Sequence, residues 1–344
     1  MKNSSTQSNR IYHIIERLHG QAPRGLRLQV KALRGGLEAL AVLRVQADFR
    51  NSRGRRQTYY MAVKRLDGTR AREASVYDKL VVRYAQTIAP RVLDVDHQGS
   101  EQSILYLEWV RPVTHWPWRE LSTAEKFMGQ LARLHMSTAS DDVAAALPQW
   151  NYDAELKRSS ETTLELLARC RRHPEFAPLG RLLAPARHVA EALPELRQQL
   201  LAFTPLGRVA IHGDVHPGNV IVRRRGGNEE PILIDWGRAR AGSPLEDLSS
   251  WLQSLSYWEP RARLRHDTLL GSYLSARGME RRLSSNLRTA YWLAGASNAL
   301  SGALEYHLSL LLGQTPATVL QKQAAAQSAR DWLRIVRRAA ACWH

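Results

Sequence analysis

The spacing of the apolar residues changes near residue 110, and this change constrains the fold more than any other feature of the chain. Before it, short runs rich in β-branched and aromatic residues alternate with turn residues, as strands do. A single helix is predicted to interrupt them, opening near Thr69. The candidate strands are residues 25–34, 40–49, 58–66, 90–95 and 103–110. We therefore expect a sheet of about five strands with one inserted helix.

From residue 111 the apolar residues recur at helical spacing. A first helix is predicted to open with a capping box at Ser122 and Glu125, and two more at 152–172 and 178–202. A strand-rich island at 208–235 follows, and helices resume at Pro244. The tryptophans of the predicted helices are expected to pack in the core: Trp251, Trp258, Trp292 and Trp332.

Composition narrows the class of protein. The chain has 344 residues, of which 44% are hydrophobic and 24% charged, an ordinary globular composition with ample chain for a core. No apolar run reaches the length of a membrane-spanning helix, and the polar start has no signal-peptide pattern. Two cysteines cannot form a disulfide scaffold. We expect a cytoplasmic protein with no membrane association.

The net charge is +17, from 49 basic and 32 acidic residues, and most of the basic residues are arginine. Such a surplus attracts anions, including nucleotides, phosphorylated substrates and nucleic acid. The loop 50–56 is the densest basic segment of the predicted hairpins. No helix-turn-helix, zinc-finger or RNA-binding signature accompanies the charge, which argues against nucleic acid as a partner. A solvated basic surface is the alternative explanation.

The residues that point to chemistry lie in the strand-rich island, where His-Gly-Asp-Val-His-Pro-Gly-Asn occupies residues 212–219. A carboxylate held in that loop, Asp214, could accept a proton from a hydroxyl. The amide of Asn219 and the carboxylate of Asp235, at the end of a second apolar strand, are the oxygen ligands that magnesium prefers. The two histidines suggest zinc as an alternative, but no third ligand follows at a familiar spacing.

The pattern H-G-D-x-H-x-x-N, followed by I-D-W at residues 234–236, resembles the aminoglycoside phosphotransferase and choline kinase group, small-molecule relatives of the protein kinases. The resemblance implies a bilobal, protein-kinase-like α+β fold. It implies a small N-terminal antiparallel sheet lobe with one helix, residues 1–110, that binds the nucleotide. It also implies a larger, mainly helical C-terminal lobe, residues 111–344, that carries catalysis and the acceptor.

The resemblance assigns roles within the island. Asp214 would be the catalytic base, and Asn219 and Asp235 would hold Mg2+. His212 would support the catalytic loop, while His216 is left without a role. In the segment G-S-P-L-E-D-L, Asp247 would brace the same loop by hydrogen bonds, or cap the helix that follows it.

The nucleotide side is assigned in the same way. Lys64, in A-V-K on a predicted strand, would hold the α- and β-phosphates, and Glu73 on the following helix would orient it. Gly35 and Gly36 would form a glycine loop whose amides face the phosphates. The strand that ends at Glu108 and Val110 would present its backbone to the base. This strand does not separate ATP from GTP, so the resemblance implies ATP as cofactor and leaves GTP open.

The acceptor is implied only as a small molecule with a hydroxyl group: an antibiotic, an amino alcohol or a sugar-like compound. A polycationic acceptor calls for an acidic pocket, yet residues 237–344 carry fourteen basic and seven acidic residues. The stretch 141–165 does offer six carboxylates, which are expected to be solvated helix surface. Two alternatives are kept: a pseudokinase that binds nucleotide without catalysis, and a basic nucleic-acid-binding protein. Nothing in the sequence indicates the oligomeric state.

Overall fold

The computed structural model describes residues 4–33, 41–99, 101–201 and 206–342. Contacts within the chain divide it into two compact units. The first is Met1–Pro112 together with Ile232–Gly237, and the second is Val113–Pro231 together with Arg238–His344. The short segment Ile232–Gly237, which includes Asp235, thus belongs to the first unit although it lies far along the chain.

The first unit contains a five-stranded antiparallel sheet in the order β1-β2-β3-β5-β4. Its strands are β1 (Arg24–Leu33), β2 (Ala41–Arg50), β3 (Arg56–Asp67), β4 (Val92–His97) and β5 (Gln102–Glu108). All five predicted strands are present, with small shifts at their ends. The basic hairpin loop predicted at 50–56 joins β2 to β3, and its arginines are exposed.

A helix that the sequence analysis did not predict, α1 (Ser4–His19), precedes the sheet. Its apolar residues Ile11, Ile14 and Ile15 are buried against side chains of the sheet that include Val45 and Met61. Their spacing of three and four residues is helical, so the signal was present in the sequence. The prediction of a single helix in the N-terminal part of the chain was therefore incomplete.

The predicted helix near Thr69 is confirmed. A 3-10 turn at Gly68–Ala71 leads into α2 (Arg72–Val76), which continues through a π turn at Tyr77–Val81 into α3 (Val82–Tyr84). The residues of this segment that face the core are buried and include Ala74 and Leu80. Glu73 lies seven residues, about two helical turns, before Leu80 and is also buried, so a carboxylate enters the interior with the apolar side chains.

The second unit is mainly helical. Its helices are α4 (Leu121–Ser137), α5 (Asp141–Ala146), α6 (Tyr152–Arg172), α7 (Ala177–Gly180), α8 (Leu183–Leu201), α9 (Pro244–Trp258), α10 (His266–Ala276), α11 (Ser285–Asn298), α12 (Leu304–Leu311) and α13 (Val319–Ala341). A large apolar core joins α6 and α8 to the C-terminal helices. Within the part of the chain that the structure describes, no helix is both long and apolar enough to cross a membrane.

Four short strands position the chemistry-bearing loop: β6 (Val209–Ile211), β7 (Val220–Arg225), β8 (Asn228–Leu233) and β9 (Arg240–Gly242). β6 pairs with β9 and β7 with β8. The residues of β6 are fully buried, because the strand is apolar throughout. The loop 212–219 therefore starts from the buried strand β6 and ends at β7, whose first residue, Val220, is buried.

Two local predictions were wrong. The helix α4 begins at Leu121, which places Ser122 inside the helix and removes it as a cap. A capping box is formed instead at α9, where Ser243 and Glu246 bond each other's backbone N–H groups. Among the tryptophans expected in the core, Trp251 and Trp332 are buried, but Trp258 is 52% exposed because it ends α9 at the surface.

Candidate active site

Lys64 lies in the middle of β3, with β2 on one side and β5 on the other. Its Nζ is 2.6 Å from Glu73 Oε2 and 2.6 Å from Asp235 Oδ1. Lys64 and Glu73 are both buried, at 9% and 2% exposed. The structure thus forms the pair predicted from the sequence, and it adds Asp235 as a second carboxylate on the same ammonium group.

The two carboxylates determine the protonation of Lys64. Burial lowers the pKa of Lys64, but the carboxylates of Glu73 and Asp235 raise it by more, so the pKa lies above its ordinary value. Tyr77, four residues after Glu73, is fully buried beside them. Burial, and then the two carboxylates, raise the pKa of Tyr77 well above its ordinary value. Its hydroxyl therefore stays protonated at neutral pH.

Asp235 follows β8 in an unusual backbone conformation. Its φ is 66°, in the left-handed region that aspartate tolerates better than most residues. Several bonds hold the segment: Leu233 N donates to Ile88 O at 2.5 Å, and the Arg72 guanidinium donates to Gly237 O. Such backbone persists where the surroundings enforce it, and it clusters at functional sites. The Asp235 side chain is 24% exposed and thus reachable by a ligand.

The other predicted nucleotide residues are less informative. Gly35 and Gly36 lie outside the described residues. Glu108 ends β5, where its N–H donates to Arg91 O at 2.9 Å and its Oε1 accepts from Arg91 N at 3.1 Å. The N–H of Glu108 is therefore used within the sheet. Val110 is buried, and the roles of both residues remain predictions.

In the second unit, Asp214 lies on the loop between β6 and β7. Asn219 Nδ2 donates to Asp214 O at 3.0 Å and to Asp214 Oδ2 at 3.3 Å. His216 Nε2 is 3.8 Å from the same carboxylate oxygen, beyond hydrogen-bonding distance. The Asp214 side chain is 31% exposed, so its carboxylate is oriented by the loop and still open to a hydroxyl group.

The loop is anchored to α9 through Asp247, which is fully buried. Its carboxylate accepts the backbone N–H groups of His212 and Gly213, each at 2.8 Å. His135 Nε2 is 3.2 Å from the same carboxylate. Burial raises the pKa of Asp247, but the hydrogen bond and charge of His135 outweigh it, so the pKa is lowered. His212 Nδ1 in turn accepts from Asp214 N at 3.2 Å.

A comparison of the sequence with protein families identifies the family of the chain. The profile described as "APH: Phosphotransferase enzyme family" matches residues 29–284. The chain belongs to this phosphotransferase family. The matched range contains every site residue predicted from the sequence. A comparison with curated proteins finds no match.

Solved structures agree on the fold. An ethanolamine kinase from Plasmodium vivax has a TM-score of 0.52 at 11% identity, covering 88% of this chain and 81% of that one. A spectinomycin phosphotransferase solved with ADP and spectinomycin has a TM-score of 0.53 at 13% identity, covering 95% and 97%. An amicoumacin kinase solved with AMP-PNP and Ca2+ has a TM-score of 0.56 at 15% identity, covering 89% and 88%. The predicted protein-kinase-like α+β fold is thereby confirmed.

The phosphotransferase motifs do not account for all the polar residues around these groups. Sequence reasoning missed Arg72, which donates a hydrogen bond to the distant Gly237 O. It also missed Tyr77, which is buried beside Glu73 and Asp235. It also missed a buried group in the second unit, formed by Tyr152, Arg197 and Arg240. No spacing in the sequence connects those three residues, because they come from α6, α8 and β9. Only the packing of these elements brings them together.

The donor atoms available to a metal are oxygens. Asn219 uses its Nδ2 on Asp214, which leaves Oδ1 as the atom of that amide able to ligate a cation. Asp235 has two carboxylate oxygens, of which Oδ1 accepts from Lys64. Amide and carboxylate oxygens suit Mg2+ or Ca2+ and not a thiophilic metal. The chemistry of each side chain by itself therefore suits the divalent cation that the phosphotransferase resemblance implies.

Proposed function

We propose that this phosphotransferase moves the γ-phosphate of ATP to a hydroxyl group of a small molecule, with Asp214 as the base. The acceptor oxygen forms a bond to the γ-phosphorus while the bond between that phosphorus and the β,γ-bridging oxygen breaks. The bonding electron pair leaves with ADP. The proton of the hydroxyl passes to the Asp214 carboxylate.

The observation that carries the proposal is the exposure and orientation of the Asp214 carboxylate. Its carboxylate is partly exposed and is oriented by Asn219, while the backbone before it is bonded to the buried carboxylate of Asp247. A base must be accessible to its substrate and held in a fixed direction, because phosphoryl transfer depends mostly on positioning. Both conditions hold for Asp214.

On the nucleotide side, we propose that Lys64 binds the α- and β-phosphates and that Glu73 directs its ammonium group. The charged form of Lys64 is favoured by its two carboxylates, so it presents a cation at all physiological pH values. Asp235 competes with phosphate for the same ammonium group. Glu108 and Val110 are proposed to face the base, and Gly35 and Gly36 the phosphates. GTP would use the same contacts.

For the metal, we propose Mg2+ held by Asn219 and Asp235. The proposal is based on the motif and on the oxygen donors of the two side chains. A bound divalent cation would neutralise negative charge on the phosphates during transfer. The residues of the chain contribute the fixed ligand oxygens and the orientation of Asp214.

We propose further that the acceptor is neutral or carries a single positive charge. Two carboxylates at the start of α6 already have cationic partners in the chain. Glu155 Oε1 is 3.3 Å from Arg238 Nη2, and Asp153 Oδ1 is 3.5 Å from Arg197 Nη1. The expectation that these residues are solvated helix surface does not hold for Glu155, whose side chain is 14% exposed. Because Glu155 is largely buried and already paired with Arg238, it leaves little negative charge for a polycation.

The test is ADP release from ATP and Mg2+ across a panel of aminoglycosides, macrolides, choline, ethanolamine, homoserine and sugars, with GTP run in parallel. Asp214→Ala is expected to lower the turnover rate by about 100-fold or more while nucleotide still binds. Asp235→Ala is expected to abolish metal-dependent nucleotide binding, measured by calorimetry. Asp267→Ala, an exposed aspartate of α10, is the matched control.

Two results would contradict the proposal. Turnover at the wild-type rate by Asp214→Ala would remove that residue as the base. Nucleotide binding with no transfer to any acceptor would favour the pseudokinase alternative, against which the presence of Lys64, Glu73, Asp214, Asn219 and Asp235 argues.

A further inference from the structure

Two arginines that belong to none of the family motifs are buried beside one tyrosine in the second unit. Arg197 on α8 is 8% exposed and Arg240 on β9 is 5% exposed. Their guanidinium carbons lie 4.0 Å and 3.9 Å from the centre of the Tyr152 ring. We call these three residues, with Glu246, the arginine clamp. Arginine suits such a position because a planar guanidinium can stack on a ring and bind a carboxylate at once.

The clamp is held together by one carboxylate, that of Glu246, which is 1% exposed. Glu246 Oε1 is 3.1 Å from Arg197 Nε and 3.4 Å from Arg240 Nη2. Asp153 also reaches Arg197, but its side chain is 71% exposed, and water screens its charge. The two buried cations thus outnumber the single buried anion. The negative face of the Tyr152 ring supplies part of the missing counter-charge.

A buried ionic cluster is no more stable than a well-packed apolar one, so stability alone does not account for it. The position of the cluster next to the loop that carries Asp214 does account for it. Arg240 pairs with Ile211 across β6 and β9, and Ile211 is the last residue before the loop. The side chain of Arg240 then lies against Gly213, since a Cβ built on Gly213 would be 2.2 Å from Arg240 Nη1.

Position 213 therefore requires glycine for two reasons, its backbone conformation and the lack of space for a side chain. Its φ is 78°, which side chains disfavour, and a Cβ there would also meet Arg238 O at 2.5 Å. The residue immediately before Asp214 is thus seated against the Arg240 guanidinium and bonded to the Asp247 carboxylate. Glu246 and Asp247 are consecutive residues of α9. The first turn of one helix holds the loop directly through Asp247 and indirectly through Arg240.

We propose that Arg240 is a positioning residue for Asp214. Stacked on Tyr152 and held by Glu246, its guanidinium fixes the backbone of Gly213, and that backbone fixes the direction of the base. This inference rests on the proposed function, because it assigns Asp214 the role of base. It predicts that loss of the guanidinium impairs the transfer step more than it impairs nucleotide binding.

The kinetic test compares Arg240→Met and Arg240→Lys with Arg263→Met. Arg263 is a partly buried arginine of the same unit that pairs with Asp331 instead. Arg240→Met is expected to lower kcat by about 10- to 100-fold, with the KM for ATP nearly unchanged, because small displacements of a reacting group have costs of that size. Arg240→Lys keeps the charge and should recover part of the rate. Arg263→Met should retain the wild-type kcat.

A second measurement needs no acceptor. Backbone hydrogen exchange, read in peptides that cover residues 209–219, reports the hydrogen bonds of His212 and Gly213 to Asp247. Exchange there is expected to be faster in Arg240→Met than in the wild type and unchanged in Arg263→Met. If Arg240→Met does not fold, Tyr152→Leu tests the same clamp from the other side, with Tyr152→Phe as its matched control.

The outcomes separate the two proposals. Unchanged exchange in the loop, or equal losses of kcat in Arg240→Met and Arg263→Met, would overturn the positioning role. Arg240→Met could show faster exchange in the loop while the wild type transfers phosphate to no acceptor. That pair of results would support the clamp and contradict the proposed function.

Discussion

At the scale of single residues, Lys64 is a buried cation whose pKa is subject to two opposite effects of its environment. Burial lowers its pKa, and the carboxylates of Glu73 and Asp235 raise it by more. A raised pKa means that the stabilisation by the charged form is present below the ordinary pKa of lysine and is lost only as the pH rises through the raised value. The ion pair is therefore insensitive to pH changes around neutrality.

His307, on α12, behaves in the opposite way. It is buried beside the rings of Tyr257 and Tyr306, and within the described part of the chain its Nδ1 has no hydrogen-bond partner. Burial lowers its pKa to about 4. Below the ordinary pKa of histidine the unfolded chain takes up a proton that the folded chain does not, so stability falls as the pH decreases from neutrality towards the lowered value.

His307→Phe is expected to remove this loss. Between about pH 7 and pH 5, the free energy of unfolding of the wild type should fall by about 2 kcal/mol more than that of the variant. Urea unfolding at the two pH values measures the difference. His13→Phe, an exposed histidine of α1, is the control and should follow the wild type. Parallel pH dependences in wild type and His307→Phe would refute the assignment.

At the scale of secondary-structure elements, α1 shows where a pattern was present but overlooked. Ile11, Ile14 and Ile15 follow helical spacing and cover one face of the sheet. One face of the strands beneath them is apolar, and its side chains pack against these three isoleucines. The predicted strands came out correctly because strand periodicity is local. The helix that covers them was missed because its short apolar stripe begins within a polar N-terminal segment.

The contribution of α1 can be measured with one substitution. Ile14→Ala removes a side chain that is 1% exposed, and it is expected to lower the free energy of unfolding by about 2 to 5 kcal/mol. Urea unfolding monitored by circular dichroism gives the value. His13→Ala, on the exposed face of the same helix, should change it by less than about 0.5 kcal/mol. Equal effects of the two substitutions would mean that α1 does not pack as described.

At the scale of the whole molecule, the surplus of positive charge remains the feature without a local explanation. Arginines that look alike in the sequence have different environments: Arg197 and Arg240 are buried on Tyr152, whereas those of the hairpin loop 50–56 are exposed. The two buried arginines belong to the arginine clamp of the second unit. Exposed ones add to the attraction for anions in general, which is sensitive to salt.

If the exposed charge is unspecific, binding of a labelled DNA duplex should be weak at about 50 mM salt and absent at about 200 mM. Fluorescence anisotropy across that range measures it. Replacing Arg53, Arg55 and Arg56 by serine should weaken the low-salt binding and leave transfer to the acceptor unchanged. Binding that persists at the higher salt would support the nucleic-acid alternative.

The sequence by itself determined the five strands of the first unit, the helix that follows β3 and the H-G-D-x-H-x-x-N motif, because each is encoded in local periodicity or in short spacing. The pairing of Lys64 with Glu73 was implied by the family resemblance. Tertiary structure alone decided that Asp235, 171 residues away, also binds Lys64. It alone placed Arg240 against Gly213 and two guanidinium groups on Tyr152. Contacts between distant residues depend on how whole elements pack, and no pattern within one element records which residue it will meet.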